Sequence, residues 1–344
     1  MPDFDEDLIS IQEARSAVIQ AHQAQLNWQH ASQADVDRVC AAMVEAGANA
    51  AESLGRLANE ETGYGVPSHK KLKNLLATRV LWDHIKDVKT VGVIRQDDAR
   101  RVFEIAWPMG VIAALTPSTN PTSTVIYKIL IAVKARDAIV IAPHPSAARC
   151  CYEAASLMAQ VAEEQGAPKG LIACLRNVSL PGTQELMSHK HVALILATGG
   201  TPMVRAAHST GKPAYGVGPG NVPVYVDRSA NLEKAARYIV ASKAFDCSTI
   251  CATEQAVVAD APIARRLEEL MKQEGAYFVD DAQTELLRKL LFTPDGAMNT
   301  ATVGKPAETL AGMAGFEIPR GTRILVARIT RTGKEEPLSR EKLT

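Results

Sequence analysis

Cysteine, net charge and unbroken apolar runs are all scarce in this 344-residue sequence. The 6 cysteines, including the adjacent Cys150 and Cys151, cannot frame a disulfide-stapled scaffold, and they point to a reducing, cytoplasmic setting. Lys and Arg number 38 against 38 Asp and Glu, so the chain lacks the basic surplus that nucleic-acid binding requires. No block of about five or six like charges occurs, which excludes a charged interaction tail. The longest uncharged stretch, Ile105 to Tyr127, is broken by Pro108, Pro117 and Pro121 and made polar by the Ser, Thr and Asn residues after Leu115. It is not a membrane helix, so no membrane partner is expected. The start, MPDFDEDLIS, is acidic and without an apolar core, unlike a secretory leader.

What the chain does have is a 47% apolar composition and a clear change of period. That composition excludes wholesale disorder, and at roughly 150 residues per domain the length fits two domains or one large α/β unit. From about Ala34 to Leu57 apolar residues recur at helical spacing, and a second helical stretch follows from about Lys70 to Lys86. Leu8–Gln25 is ambiguous and does not read as a distinct N-terminal targeting helix. Thr90–Arg95 and Arg101–Trp107 flank the polar turn Gln96–Ala99 and read as a β-hairpin. Beyond Gly110, short apolar runs at Val111–Leu115, Ala138–Ala142, Leu171–Leu175, Val192–Ala197 and Val222–Val226 alternate with helical stretches. This is the signature of βαβ units in a doubly wound parallel sheet.

Three segments carry possible chemistry. Leu115–Thr122 (LTPSTNPT) joins a strand end to a helix start, where exposed N–H groups and the helix dipole suit a phosphate or an oxyanion. Its Ser, Thr and Asn equally suit plain helix caps. Thr198-Gly199-Gly200-Thr201 permits close backbone approach to a cofactor or is simply a tight turn. Gly216–Asn221 (GVGPGN) fails as a Rossmann fingerprint because a strand, not a helix, follows it. In FDCSTICATEQ (Phe245–Gln255), Cys247 and Cys251 have no neighbouring His or third Cys, so no metal site is expected. From the residues alone each thiol reads as a small buried hydrophobe or as a nucleophile. His189, His191 and His208 read as surface residues. Cys150 and Cys151 read as helical, one buried and one partly so.

Taken in order, the blocks EETGYG (Glu60–Gly65), KTVGVI (Lys89–Ile94), WPMGVIAALTPSTNPTSTVIYK (Trp107–Lys128), APHPSA (Ala142–Ala147), LATGGTPMVRAA (Leu196–Ala207), GKPAYGVGPGNVP (Gly211–Pro223) and SKAFDCSTICATEQ (Ser242–Gln255) resemble the aldehyde dehydrogenase superfamily, specifically its coenzyme-A-acylating branch. The resemblance runs from about Asp35 to Thr344. It implies an α/β, aldehyde-dehydrogenase-like fold. A doubly wound parallel-sheet NAD(P)-binding domain would span 1–222, with the hairpin at 90–107 serving homo-oligomer contacts. An α/β catalytic domain would span 223–344.

By the same resemblance Cys251 is the nucleophile and Asn120 the side-chain donor of the oxyanion hole. Thr116, Pro117 and Thr119 line the nicotinamide side, and His144 and Ser146 stand near the adenosine ribose. Gly199, Gly200 and Thr201 lie beside the pyrophosphate, Gly218 lies near the reacting centre, and Glu341 bonds the nicotinamide ribose. The implied co-substrates are NAD or NADP, coenzyme A and a short aldehyde such as acetaldehyde or sulfoacetaldehyde. Hydrolytic members carry a glutamate base where Val217 falls here, and no carboxylate lies between Gly211 and Val226. Water without a base is a poor nucleophile, which favours thiolysis over the hydrolytic alternative. The branch usually has Asn-Gly where this chain has Cys247-Ser248. In the family the segment PLSREKLT runs on into a further strand, so the resemblance implies a catalytic domain incomplete at its C-terminus. The non-enzyme alternative is therefore a fragment that at most binds nucleotide.

Overall fold

The computed structural model describes residues 5–339, and the chain divides into two compact units. One comprises residues up to Thr62 together with Lys70–Gly218; the other comprises Gly63–His69 and the chain from Pro219.

The first unit opens with helices α1 (Glu6–Trp28), α2 (Gln33–Asn49) and α3 (Ala51–Thr62). It takes in most of α4 (Pro67–Leu75), then a π-helical turn at Leu76–Val80 and α5 (Leu81–Ile85). The hairpin strands β1 (Gly92–Asp97) and β2 (Val102–Ala106) precede β3 (Val111–Thr116), α6 (Pro121–Lys134), β4 (Ala138–Pro143), α7 (Ala148–Glu164), β5 (Ile172–Cys174), α8 (Leu180–Ser188), β6 (Val192–Thr198), α9 (Thr201–His208) and β7 (Ala214–Val217).

Strands β3 to β7 form one all-parallel sheet in the order β5-β4-β3-β6-β7. The chain builds outward from β3 through β4 to β5, then crosses to the other side of β3 to lay down β6. The β3/β6 boundary is therefore the topological switch point, where doubly wound sheets open a crevice at the carboxyl ends of their strands. Helices cover both faces, which is why β3 and β4 are buried at every position and apolar at all but Thr116.

α1 had no legible pattern, yet it is 23 residues long and capped by Asp5. Its small buried residues Ala14, Val18, Ala21 and Ala24 give little amphipathic contrast, although they fall on one face, and it packs against α8. The single helix expected over 34–57 is two, interrupted at Ala50, a break that no Gly or Pro announces. The hairpin turn falls at 98–101 rather than 96–99. Both faces of this ribbon are exposed, so polarity does not mark where the strands end. Cys150 and Cys151 are both fully buried, correcting the expectation that one is partly exposed. α7 packs against α2, α3 and α6 as well as β5, so two successive residues are covered.

A tight turn after α6 carries a buried charge. Asp137 is 4% exposed, and its carboxylate accepts the Gly110 N–H at 2.8 Å. Burial pushes its pKa up to about 6, against the opposing effect of the Gly110 and Met109 amides. The folded pKa exceeds the unfolded one, so stability is highest below about pH 4 for this group and is lost as pH rises through about 6. Asp137→Asn keeps an acceptor for Gly110 and removes the charge. It is expected to raise Tm by several degrees at pH 8, about 2–3 kcal/mol at one pKa unit per 1.36 kcal/mol, and to change little at pH 4. Thermal scans at both pH values check this, and equal shifts at the two would refute it.

The second unit contains β8 (Val222–Val226), α10 (Leu232–Ala244), β9 (Glu254–Ala259), α11 (Ala261–Gln273), β10 (Ala276–Phe278), α12 (Asp281–Leu291), α13 (Ala307–Ala314) and β11 (Ile324–Val326). β8 pairs in parallel with β9, and β10 with β11. Val226, Ile239, Val240, Leu267 and Met271 form its main core. Among the described residues no helix is long and apolar enough to cross a membrane, and no group of three or more His, Cys, Asp or Glu is arranged to hold a metal.

Candidate active site

In the first unit the residues singled out by sequence lie on loops leaving the carboxyl ends of adjacent strands. Thr116 ends β3 and is buried, with its hydroxyl 3.6 Å from the Cys151 thiol. Asn120 stands at the N-cap position of α6 ahead of Pro121, yet its side chain makes no capping bond. Its carbonyl oxygen instead accepts a 2.6 Å hydrogen bond from the Lys73 ammonium, and its amide nitrogen donates to Thr119 Oγ1 at 3.1 Å. Lys70, one helical turn earlier on α4, donates to the Thr119 carbonyl at 3.3 Å. The helix-cap reading of Asn120 therefore gives way to a side chain held by Lys73 from another helix.

Lys128 is 1% exposed and sits directly at the switch point. Its ammonium donates to the Leu115 carbonyl at 2.7 Å and to the Leu196 carbonyl at 2.8 Å, tying the ends of β3 and β6. Burial lowers its pKa to about 7, against the pull of the Cys151 thiol. From β4, His144 Nδ1 accepts the Ser146 N–H at 3.2 Å and lies 2.8 Å from its hydroxyl. The first amides of α7 are capped from α3: the Glu61 carboxylate accepts from Arg149 and Cys150 N–H at 2.9 and 2.7 Å.

The start of α9 contrasts with α7. Gly200 is its N-cap residue, Gly199 donates its N–H to the Val217 carbonyl at 3.1 Å, and no side chain caps the helix. A helix N-terminus without a side-chain cap, behind two residues lacking Cβ, fits an anionic group. Gly218 follows β7, and Val217, at the end of that strand, is 51% exposed.

In the second unit Cys251 is exposed, whereas Cys247 is buried. The segment leading to it is unusual. Asp246, Cys247 and Ser248 adopt φ of 49°, 50° and 63°, three consecutive non-glycine residues in the left-handed region. Each such residue costs roughly 1–2 kcal/mol, so neighbouring contacts must hold them. Asp246, fully buried, supplies several of those contacts. Its carboxylate accepts from the Val66 N–H at 2.6 Å and the Thr249 hydroxyl at 2.6 Å, and its own N–H donates to His69 Nδ1 at 2.9 Å. The His69 ring stacks on Phe245 with centroids 4.5 Å apart.

Two glycines make room for this loop. A Cβ on Gly65 would fall 2.1 Å from an Asp246 carboxylate oxygen, and one on Gly220 would fall 2.2 Å from the Cys251 carbonyl oxygen. Asp246 is thus engaged as an acceptor within its own loop. Glu254 keeps one carboxylate oxygen, Oε2, buried without a hydrogen-bond partner among the described residues. Glu341 lies outside the described residues.

Lys73, Lys70, Lys128, Gly65 and His69 escaped the sequence reading. Helical spacing places Lys70, Lys73, Asn74 and Ala77 on one face, but nothing in the sequence marks that face as the buried one.

The aldehyde dehydrogenase family model matches residues 8–285. An acetylating aldehyde dehydrogenase from Geobacillus thermoglucosidasius superposes with a TM-score of 0.96 at 50% identity, covering 99% of this chain and 75% of that one. A propionaldehyde dehydrogenase from Rhodopseudomonas palustris, solved with bound CoA and an acylated cysteine, gives a TM-score of 0.84 at 33% identity over 96% of this chain and 74% of that one. The bifunctional aldehyde-alcohol dehydrogenase of Escherichia coli is 38% identical over 335 residues, which is 97% of this chain and 38% of that protein's length. With a family model spanning most of its length and acylating relatives superposing on nearly all of it, the chain belongs to the aldehyde dehydrogenase family and falls with its acylating members.

Proposed function

We propose that the protein oxidises a short aldehyde to its acyl-CoA with NAD or NADP, through a thioester on Cys251. The observation that carries this reading is the exposed Cys251 on a loop held in shape by Asp246, in a chain whose Gly211–Val226 segment has no carboxylate to activate water. Residues 1–222 serve as the cofactor domain and 223–344 as the catalytic domain. Thr116, Pro117 and Thr119 flank the nicotinamide, Gly199, Gly200 and Thr201 the pyrophosphate, and His144 and Ser146 the adenosine ribose. Glu341 bonds the nicotinamide ribose, and Gly218 lies near the reacting centre.

The Cys251 thiolate adds to the aldehyde carbonyl, and the Asn120 amide stabilises the oxyanion of the resulting hemithioacetal. Bound nicotinamide supplies the hydride acceptor. Collapse of the oxyanion leaves the acyl group on Cys251 as a thioester. The thiolate of coenzyme A then attacks that thioester, releasing acyl-CoA and the Cys251 thiolate. Lys128 fixes the two strand ends from which the cofactor loops spring.

The reaction suits a soluble cytoplasmic enzyme. Phe103 and Ile105 of the β1–β2 hairpin and Trp107 just after it are 58%, 61% and 76% exposed, a concentration of apolar surface that supports homo-oligomer contacts. Aldehyde-dependent formation of reduced nicotinamide, followed with and without coenzyme A, tests the reading. Turnover is expected to require the thiol. Equal rates without it would favour hydrolysis, and no turnover in either case would favour a fragment limited to nucleotide binding.

A further inference from the structure

We infer that Lys73 is a positioning residue that fixes which end of the Asn120 side-chain amide faces the substrate; this rests on the proposed role of Asn120 as an oxyanion donor. A carboxamide is nearly symmetric in shape, and a half-turn about its terminal bond exchanges an acceptor for a donor. In an oxyanion hole that exchange matters, because a carbonyl oxygen turned toward the developing negative charge repels it.

The local backbone does not choose between the two orientations. Asn120 occupies the N-cap position of α6 but makes no capping bond. Lys73 does choose. Its ammonium has only donors, so the Asn120 group lying 2.6 Å from it must be the carbonyl oxygen, and the NH2 is directed to the other side.

Lys73 is 5% exposed, and its neighbour on the same helix face, Lys70, is 2% exposed and holds the Thr119 carbonyl. Two buried ammonium groups from α4 thus grip successive residues of the loop. A charged donor on the carbonyl also polarises the amide and strengthens its N–H groups as donors. In sequence nothing distinguishes Lys73 from Lys71, and its burial is what separates the two.

A double-mutant cycle on the full chain tests the inference. Lys73→Met is expected to lower kcat about 10- to 100-fold, a large part of the 10²–10³ associated with losing one oxyanion donor, with KM for the dinucleotide little changed. In an Asn120→Ala background the same substitution is expected to have no further effect on kcat, and Lys73→Arg to recover most of the activity. Losses that simply add in the double variant overturn the proposal. Asn120→Ala with unchanged kcat instead overturns the oxyanion reading on which it rests.

A second readout needs no turnover. In the 15N-labelled chain the Asn120 side-chain NH2 pair, identified by its absence in Asn120→Ala, is expected to shift in Lys73→Met and to stay in place in Lys71→Met. A pair that does not respond to Lys73→Met overturns the proposal whatever the kinetics.

Discussion

Cys251→Ala is expected to abolish aldehyde-dependent dinucleotide reduction, by on the order of 10⁴–10⁶-fold, because Cys251 is the residue proposed to carry the acyl intermediate. The protein should fold normally, since Cys251 is exposed and its side chain contributes little to packing. The companion variant Cys247→Ala is expected to retain most activity, because Cys247 is buried. Native-state alkylation gives the same assignment without turnover. Cys40, Cys150, Cys151 and Cys247 are buried, and burial pushes the Cys40 thiol up to about 12. Cys150 is raised by its hydrogen bond with Cys151 and by burial, and Cys174 is raised by burial. Iodoacetamide at pH 7.5 should therefore label Cys251 first, as read by peptide mass spectrometry. Activity surviving in Cys251→Ala, or labelling that begins at Cys247, would move the nucleophile.

The parts of this molecule that were legible in sequence share one property: the pattern and the environment that causes it lie in the same segment. β3 and β4 are apolar at nearly every position because helices cover both faces, and Pro121 marks the first residue of α6 by its fixed φ and missing N–H. Cys251 and Asn120 were singled out through ordered family blocks, not through any local chemical signature, and their roles remain proposals.

What supports those two residues was not legible, because it comes from distant chain. Asp246 is held by Val66 and His69, 180 and 177 residues away, and Asn120 by Lys73, 47 residues away. A buried lysine has the same letter as a solvated one, so Lys73 and Lys128 reveal themselves only when burial is known. Glycine spacing was no guide for a similar reason. Gly216–Asn221 imitates a fingerprint, while the glycine that a side chain requires, Gly65, stands in a block with no recognised chemistry.

Gly65→Ala carries the second large effect. Gly65 has φ +72°, so any side chain there incurs roughly 1–2 kcal/mol of backbone strain before contacts are considered. The added Cβ would also stand 2.1 Å from Asp246 Oδ1 and 2.8 Å from Oδ2, with the carboxyl carbon at 2.5 Å. Asp246 is fully buried and short, so it cannot swing away into solvent as a lysine would. Displacing it strands the Val66 N–H, at about 1–3 kcal/mol if left buried and unpaired, and takes from the Thr249 hydroxyl its 2.6 Å bond to the carboxylate. It also removes part of what holds three left-handed residues ahead of the nucleophile.

The expected outcome is a loss of at least about 3 kcal/mol in urea unfolding of the second unit, with Cys251 alkylation no longer faster than that of the buried thiols. Dinucleotide binding, assigned to the first unit, should be little affected. Asp246→Gly separates strain from clash: glycine tolerates φ of 49°, and removing the carboxylate clears the space a Cβ at position 65 needs. Gly65→Ala combined with Asp246→Gly should therefore be more stable than Gly65→Ala alone, while still lacking the bonds that shape the Cys251 loop. A single variant as stable as the parent, or a double variant less stable than the single, would show that the nucleophile loop is held by something other than the Asp246 contacts.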